Sequence, residues 1–278
     1  MTLHEALVQG TKLLEDAGIA VPRLTAEVLL CHGIHAERPF LYAHPEQELR
    51  EVEWIHYGRY LHERMKGKPT QYITGRQEFY GRDFRVTPDV LIPRPETELV
   101  VEAALEVGRG ARRIVDVGTG SGAIAVTLML ETKAAVFGTD ISAAALAVAA
   151  ENARRLDARV EFVCCDLMSA IANRSMDVIV SNPPYVPEAE RASLQREVRD
   201  HEPEAALFAG PTGFEIYERL VVEAERVLCP GGWLVLELGY KSRDRVLGMF
   251  GPHWRDVRVV PDLAGIPRVL PARWEWEG

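Results

Sequence analysis

The sequence predicts an α/β fold: an open, doubly wound sheet with a small helical domain ahead of it. From Arg112 onward, short β-branched runs alternate with stretches of helical periodicity, the pattern of a mostly parallel sheet covered on both faces. The glycine-rich loop Gly118-Thr119-Gly120-Ser121-Gly122 joins the first of those strands to its helix, where such sheets bind ligands. Residues 1 to about 70 show helical periodicity alone.

In the helical part, Thr2-Leu3-His4-Glu5 is a capping-box pattern. Leu3, Ala6, Leu7, Leu13, Leu14 and Ala17 then share one helical face until Gly18 stops it. Arg23 to His32 and Pro45 to Met65 repeat the pattern, the latter with Leu49, Val52, Trp54, Leu61 and Met65 as apolar positions. Gln77 to Tyr80 and Phe84 to Thr87 flank Gly81-Arg82-Asp83 as two short strands around a tight turn. Val90-Leu91-Ile92 runs into Pro93-Arg94-Pro95-Glu96-Thr97-Glu98, which reads equally as a helix start and as part of a site.

The sheet then reads as follows. Arg113 to Val117 is a strand, Ala123 to Leu130 a helix, Lys133 to Thr139 a strand ending at Asp140, and Ser142 to Leu156 a helix. Arg159 to Cys164 and Asp177 to Val180 are strands, and Thr212 to Leu228 is a helix. Cys229-Pro230-Gly231-Gly232 turns the chain into a strand over Trp233 to Leu238, and Val257 to Val260 with Arg268 to Pro271 close the sheet. The expected organisation is a helical domain over 1–75, a β-hairpin linker with its following helix over 76–110, and the sheet domain over 111–278.

Composition limits the partners. The chain of 278 residues is 47% hydrophobic and 26% charged, as in a soluble globular protein. No apolar run reaches membrane-spanning length and the N-terminus lacks a signal pattern, so the expectation is a cytoplasmic protein with no membrane partner. Cys31, Cys164, Cys165 and Cys229 are scattered, which suits reduced thiols, and no metal site is expected. The net charge of −9 argues against binding led by nucleic-acid phosphates. Residues 1–75 hold eight Lys and Arg against ten Asp and Glu, so the helical domain is no basic clamp either.

Gly118, Gly120 and Ala123 satisfy the dinucleotide fingerprint, and Asp140, 18 residues after Gly122, suits a ribose diol. A dinucleotide and S-adenosylmethionine both carry that ribose. Asp116 separates them: a carboxylate two residues before the loop repels a pyrophosphate but favours a sulfonium and an ammonium group. Asp166 suits an adenine amino group with Leu167 packing on the ring, and it equally suits a helix N-cap.

Ser181-Asn182-Pro183-Pro184-Tyr185 follows the strand that ends at Val180. Asn182 offers a side-chain carbonyl and Pro183 a main-chain carbonyl on a stiff backbone, two acceptors for the hydrogens of an NH2 group. Tyr185 supplies an aromatic face for a flat guest. The same residues also make a stiff turn.

Val115-Asp116-Val117-Gly118-Thr119-Gly120-Ser121-Gly122, Asp140 and Ser181-Asn182-Pro183-Pro184-Tyr185 resemble the class I methyltransferases that modify planar nitrogens. With Phe79-Tyr80-Gly81, Leu91-Ile92-Pro93-Arg94-Pro95-Glu96-Thr97-Glu98, Glu197 to Pro203 and Asp262-Leu263-Ala264-Gly265, the chain resembles the release factor glutamine methyltransferases, the PrmC or HemK family. The resemblance implies a Rossmann-like methyltransferase domain, and S-adenosylmethionine lined by Gly118 to Gly122, Asp140, Leu167 and Asn182. It implies that Asn182 to Tyr185 bind the glutamine of the Gly-Gly-Gln motif of class 1 release factors, which is methylated at its side-chain amide nitrogen. Leu167 stands where some relatives carry an aromatic residue, and Ile266-Pro267 departs from the polar residues expected there. The rival readings are an adenine-N6 DNA methyltransferase, a nicotinamide enzyme and a non-catalytic adaptor that binds release factors.

Overall fold

In the computed structural model, which describes residues 1–275, Thr2 caps the first helix as its sequence predicts. The Thr2 hydroxyl accepts from the Glu5 amide at 3.2 Å while the Glu5 carboxylate accepts from the Thr2 amide at 2.9 Å. The chain forms two compact units: Met1–Arg76 with Gln195–His201, and Gln77–Leu194 with Glu202 onward. The hairpin region expected as a separate linker therefore belongs, from Gln77 on, to the unit that carries the sheet.

The helical unit contains α1 (Leu3–Asp16), α2 (Pro22–Ile34), α3 (Arg38–Ala43), α4 (Glu51–Met65) and α5 (Thr70–Thr74) around Leu3, Leu7, Leu29, Leu30, Tyr57 and Leu61. The short α3 and α5 are not evident from periodicity, because neither is long enough to repeat a face. On α1 the buried face is Leu3, Ala6, Leu7, Gly10 and Leu14, and Leu13 is exposed. On α4 the buried face is Glu53, Tyr57, Leu61 and Arg64, while Val52 is exposed. Charged residues take core-side positions because each is paired: Glu53 accepts from the Arg50 amide at 2.8 Å, and Arg64 meets Glu197 at 2.5 Å. Glu197 comes from the short helix Arg196–His201, and this pairing anchors Gln195–His201 in the helical unit.

The second unit opens with the hairpin β1 (Arg76–Phe79) and β2 (Arg82–Arg85), then α6 (Glu98–Val107). Next come β3 (Arg113–Val117), α7 (Ala123–Glu131), β4 (Ala135–Asp140), α8 (Ala143–Arg155), β5 (Glu161–Cys164) and β6 (Met176–Ser181). β7 (Val186–Pro187) and β8 (Phe208–Gly210) pair as a small separate ladder. β9 (Leu228–Glu237), β10 (Trp254–Arg255), β11 (Val260–Pro261) and β12 (Pro267–Trp274) complete the main sheet, whose order is β10-β12-β9-β6-β3-β4-β5, with β11 also on β12. β5, β4, β3, β6 and β9 are parallel, and β12 runs antiparallel to β9.

Side chains of β3 alternate between the two faces. Ile114 joins the apolar cluster with α6 and α7, and Val115 with Val117 joins the cluster with helix Glu215–Val227. Cys229 to Gly232, expected as a turn before the strand, lies inside β9 as a register shift between Leu228, opposite Met176, and Trp233, opposite Val178. The turn residues bulge out of a ladder that pairs on either side of them. Val257 to Val259 form no regular strand, although the Arg258 amide donates to the Pro271 carbonyl of β12 at 3.2 Å; β11 is confined to Val260 and Pro261.

Tyr57 is fully buried and, among the described residues, its hydroxyl has no hydrogen-bond partner, while a Cβ on Gly10 would lie 1.9 Å from that oxygen. An unsatisfied buried hydroxyl costs stability, so Tyr57→Phe is expected to leave the fold as stable as before or to raise stability by about 1 kcal/mol. Denaturant titration checks this, and a loss of that size contradicts it.

Candidate active site

The glycine loop leaves β3 with three residues in the left-handed region: Gly118 at φ 73°, Gly120 at 54° and Gly122 at 79°. They serve different ends. A Cβ on Gly118 or Gly120 would meet nothing within 4 Å, so these two turn the backbone and keep it open to a guest. A Cβ on Gly122 would come 3.1 Å from the Ala149 Cβ, so Gly122 lets α7 pack on α8. Thr119 and Ser121 are buried, and their side chains face inward. Thr119 donates to Asp116 Oδ2 at 2.6 Å, and Ser121 uses its carbonyl to accept from Asn152 at 2.9 Å. Asn152, fully buried on α8, also exchanges hydrogen bonds with the Arg85 backbone and so ties the loop to β2.

Two carboxylates border the loop. Asp140 ends β4 half-buried, with Oδ2 accepting from the Gly120 amide and Oδ1 from the Ser142 amide, each at 2.9 Å. Each oxygen keeps a lone pair for a diol. Asp116 is 1% exposed; Oδ2 accepts from Thr119 and from the Ala125 amide, and Oδ1 has no partner among the described residues. Burial pushes its carboxyl up to about 7, against the pull of those two hydrogen bonds, and nearby Asp140 adds to the rise. An open glycine backbone, a diol acceptor and a buried acid with an orphan oxygen fit S-adenosylmethionine, whose sulfonium and ammonium groups are cationic.

At the end of β6, Ser181 is buried and donates to the Val117 carbonyl at 2.7 Å, which fastens the strand to the root of the glycine loop. Asn182 is half-buried, and its Nδ2 donates to Thr97 Oγ1 at 3.1 Å. Pro183 is buried; Pro184 and Tyr185 are half-buried. The Tyr185 ring lies on Gly239, where a Cβ would come within 2.6 Å of it. Burial, with the negative Glu237 nearby, pushes the Tyr185 hydroxyl up to about 12.

Asp166 follows Cys165, whose amide donates to the Asp140 carbonyl at 3.1 Å. Its carboxylate is half-exposed and meets Arg219 at 2.6 Å, and no helix follows for it to cap. Leu167 adopts φ 47°, a strained conformation outside glycine, and packs against the cluster that contains Val115 and Val117. A cavity of 680 Å³ in the helical unit, bordered by His32, His35 and Arg76 among others, includes none of the candidate residues.

Sequence reasoning misses Thr97 and Glu237. Thr97, 4% exposed, lies in a 3-10 turn over Pro95–Thr97 whose Arg94 donates to Glu202 Oε1 at 2.6 Å and to the Ile92 carbonyl at 2.8 Å. Glu237, 3% exposed, ends β9, and among the described residues its Oε2 has no partner. Burial raises its carboxyl to about 7, opposed first by the nearby Thr97 hydroxyl and then by the charge of Arg268. A lone acid in the apolar run Trp233-Leu234-Val235-Leu236-Glu237-Leu238 is the sequence signal that points to it.

An open sheet with a glycine loop after its first parallel strand and Asn-Pro-Pro-Tyr at the carboxyl end of a neighbouring strand defines a class I methyltransferase. Solved structures share the fold: a Pyrococcus furiosus methyltransferase aligns at a TM-score of 0.52 and 19% identity, over 71% of this chain and 91% of its own. A T. Thermophilus 16S rRNA methyltransferase, solved with AdoMet and guanosine, aligns at 0.52 and 21% identity over 72% of this chain and 50% of its own. The family described as PrmC N-terminal domain matches residues 5–75, and the methyltransferase small domain matches residues 96–200. The chain belongs to the release factor glutamine methyltransferase family: the member from Koribacter versatilis (strain Ellin345) is 48% identical over 98% of this chain and 99% of its own. The Bacillus subtilis (strain 168) member is 41% identical over 97% and 96%.

Two expectations follow for the donor site. Asp140→Ala weakens S-adenosylmethionine binding by calorimetry, and unchanged affinity removes Asp140 from the ribose position. A cation binds the ionised form of Asp116, which forms as pH rises through about 7. Affinity therefore strengthens with pH by up to about tenfold per unit below that point, and Asp116→Asn flattens the dependence. Titrations from pH 5.5 to 8.5 check the slope.

Proposed function

We propose that this protein transfers a methyl group from S-adenosylmethionine to the side-chain amide nitrogen (N5) of the glutamine in the Gly-Gly-Gln motif of class 1 peptide chain release factors. The observation that carries the reading is Asn182 itself. It follows directly on the strand paired with both β3 and β9, beside the root of the glycine loop, in a chain whose relatives are named for glutamine methylation of release factors. Those names favour a protein substrate over a DNA base.

S-adenosylmethionine, when bound along Gly118 to Gly122 and Asp140, supplies the electrophilic methyl group. An amide nitrogen is a poor nucleophile because its lone pair is shared with the carbonyl, so the protein must fix its direction and favour the positive charge that develops on it. Asn182 Oδ1 and the Pro183 carbonyl accept the two amide hydrogens, and Tyr185 confines the flat group. Orienting two reactants lowers a barrier by roughly 7 to 11 kcal/mol. Carbonyl dipoles aimed at the nitrogen add electrostatic stabilisation.

The helical unit is assigned to docking the release factor, a role in keeping with the match of residues 5–75 to a domain named for this family. The reaction is assigned to the cytoplasm; among the described residues no helix is long and apolar enough to cross a membrane.

The deciding experiment is tritium transfer from labelled S-adenosylmethionine to purified release factor, followed by mapping of the modified residue. Label on the Gly-Gly-Gln glutamine is the expected result, and its absence overturns the reading. Asn182→Ala lowers the single-turnover rate by about 10²-fold or more, as loss of one oriented polar group does. A release factor with glutamate in place of the glutamine takes up no methyl group, because the NH2 group is gone.

A further inference from the structure

Asn182 can accept from a substrate amide only if its own amide is turned with Oδ1 toward the guest. Resting on the glutamine reading above, we infer that Thr97 is a positioning residue that fixes this orientation. The Asn182 Nδ2 donates to Thr97 Oγ1 at 3.1 Å. Thr97 Oγ1 therefore faces Asn182 as an acceptor. An acceptor there takes the NH2 end of the asparagine amide and leaves Oδ1 on the other side. Were the Thr97 proton turned toward Asn182 instead, the amide would flip and the acceptor for the substrate would be lost.

The supports of this contact come from separate places in the chain. Thr97 is buried, and its amide donates to the Arg94 carbonyl at 3.0 Å, so the Arg94 and Glu202 ion pair at 2.6 Å holds the turn that carries it. Glu237 is the residue after Leu236, the partner of Ser181 in the β6 and β9 ladder, so the register sets Glu237 beside Asn182. This gives the Pro93-Arg94-Pro95-Glu96-Thr97 segment a task beyond starting a helix.

A double-mutant cycle on the full-length protein tests the inference. Thr97→Val keeps the shape of the side chain and removes the hydroxyl. It is expected to lower single-turnover methylation of release factor about tenfold, the value of one oriented hydrogen bond. S-adenosylmethionine affinity should stay unchanged, and Thr97→Ser should recover most of the rate. In an Asn182→Ala background Thr97→Val should cost nothing more, because its effect passes through Asn182. Independent, multiplying losses overturn the proposal, as does a serine variant no better than valine.

A second readout does not need activity. The side-chain amide protons of Asn182, followed by NMR exchange with solvent, are protected in the wild type and in Thr97→Ser and exposed in Thr97→Val. Equal exchange in all three overturns the positioning role. Protection lost only in Thr97→Val, in a protein that does not methylate release factor, supports the positioning role and counts against the glutamine reading.

Discussion

The candidate site depends on one constraint, the parallel register of β3, β6 and β9. With Asp116 opposite Val180 and Ser181 opposite Leu236, the glycine loop, Asn182 and Glu237 emerge side by side at the carboxyl edge. The Ser181 hydroxyl on the Val117 carbonyl fastens the first two ends together. Pro183 and Pro184 then end the ladder, because neither has an N–H to give to a neighbouring strand. A slip of one residue in β6 would send Asn182 to the opposite face of the sheet and leave nothing of the site.

Local features of this arrangement were legible in the sequence and distant ones were not. Alternation of strands and helices, the glycine loop and the capping box at Thr2 are short-range patterns, and each appears where expected. Asn182, Asp140 and the loop could be grouped because an open parallel sheet gathers the carboxyl ends of its strands. The contact of Asn182 with Thr97 spans 85 residues, and no periodicity reports such a pairing. Asp166 shows the same limit from the other side: its partner Arg219 lies 53 residues away, so its engagement in a surface ion pair was invisible. On α4 the pattern of apolar letters misled, because paired charges at Glu53 and Arg64 take the core side and leave Val52 outside.

The glycine loop divides its labour in a way that letters alone conceal. Gly118 and Gly120 are glycines for their backbone angles and for the open space in front of them, whereas Gly122 also serves packing against Ala149. Thr119 turns inward to hold Asp116, and Ser121 offers its carbonyl to Asn152. The main chain of this loop is therefore left open to a guest, and the side chains between the glycines keep that main chain in place.

Two buried acids, Asp116 and Glu237, border the Asn182 position from neighbouring strands, and each holds its proton up to about pH 7. The sign of the consequence is fixed. Between the ordinary carboxylate range and about pH 7, the folded chain keeps protons that the unfolded chain has released, so these groups lower stability as pH rises through that window. A site built only for stability would not keep two such groups. A donor that is cationic repays the burial of Asp116 by replacing its proton with a fixed positive charge, so binding and ionisation favour one another. Glu237 lies beside Asn182 in the register of β6 and β9. The same edge of the sheet thus presents negative potential to the donor and an oriented carbonyl to the acceptor, the two electrostatic conditions that methylation of an amide nitrogen requires.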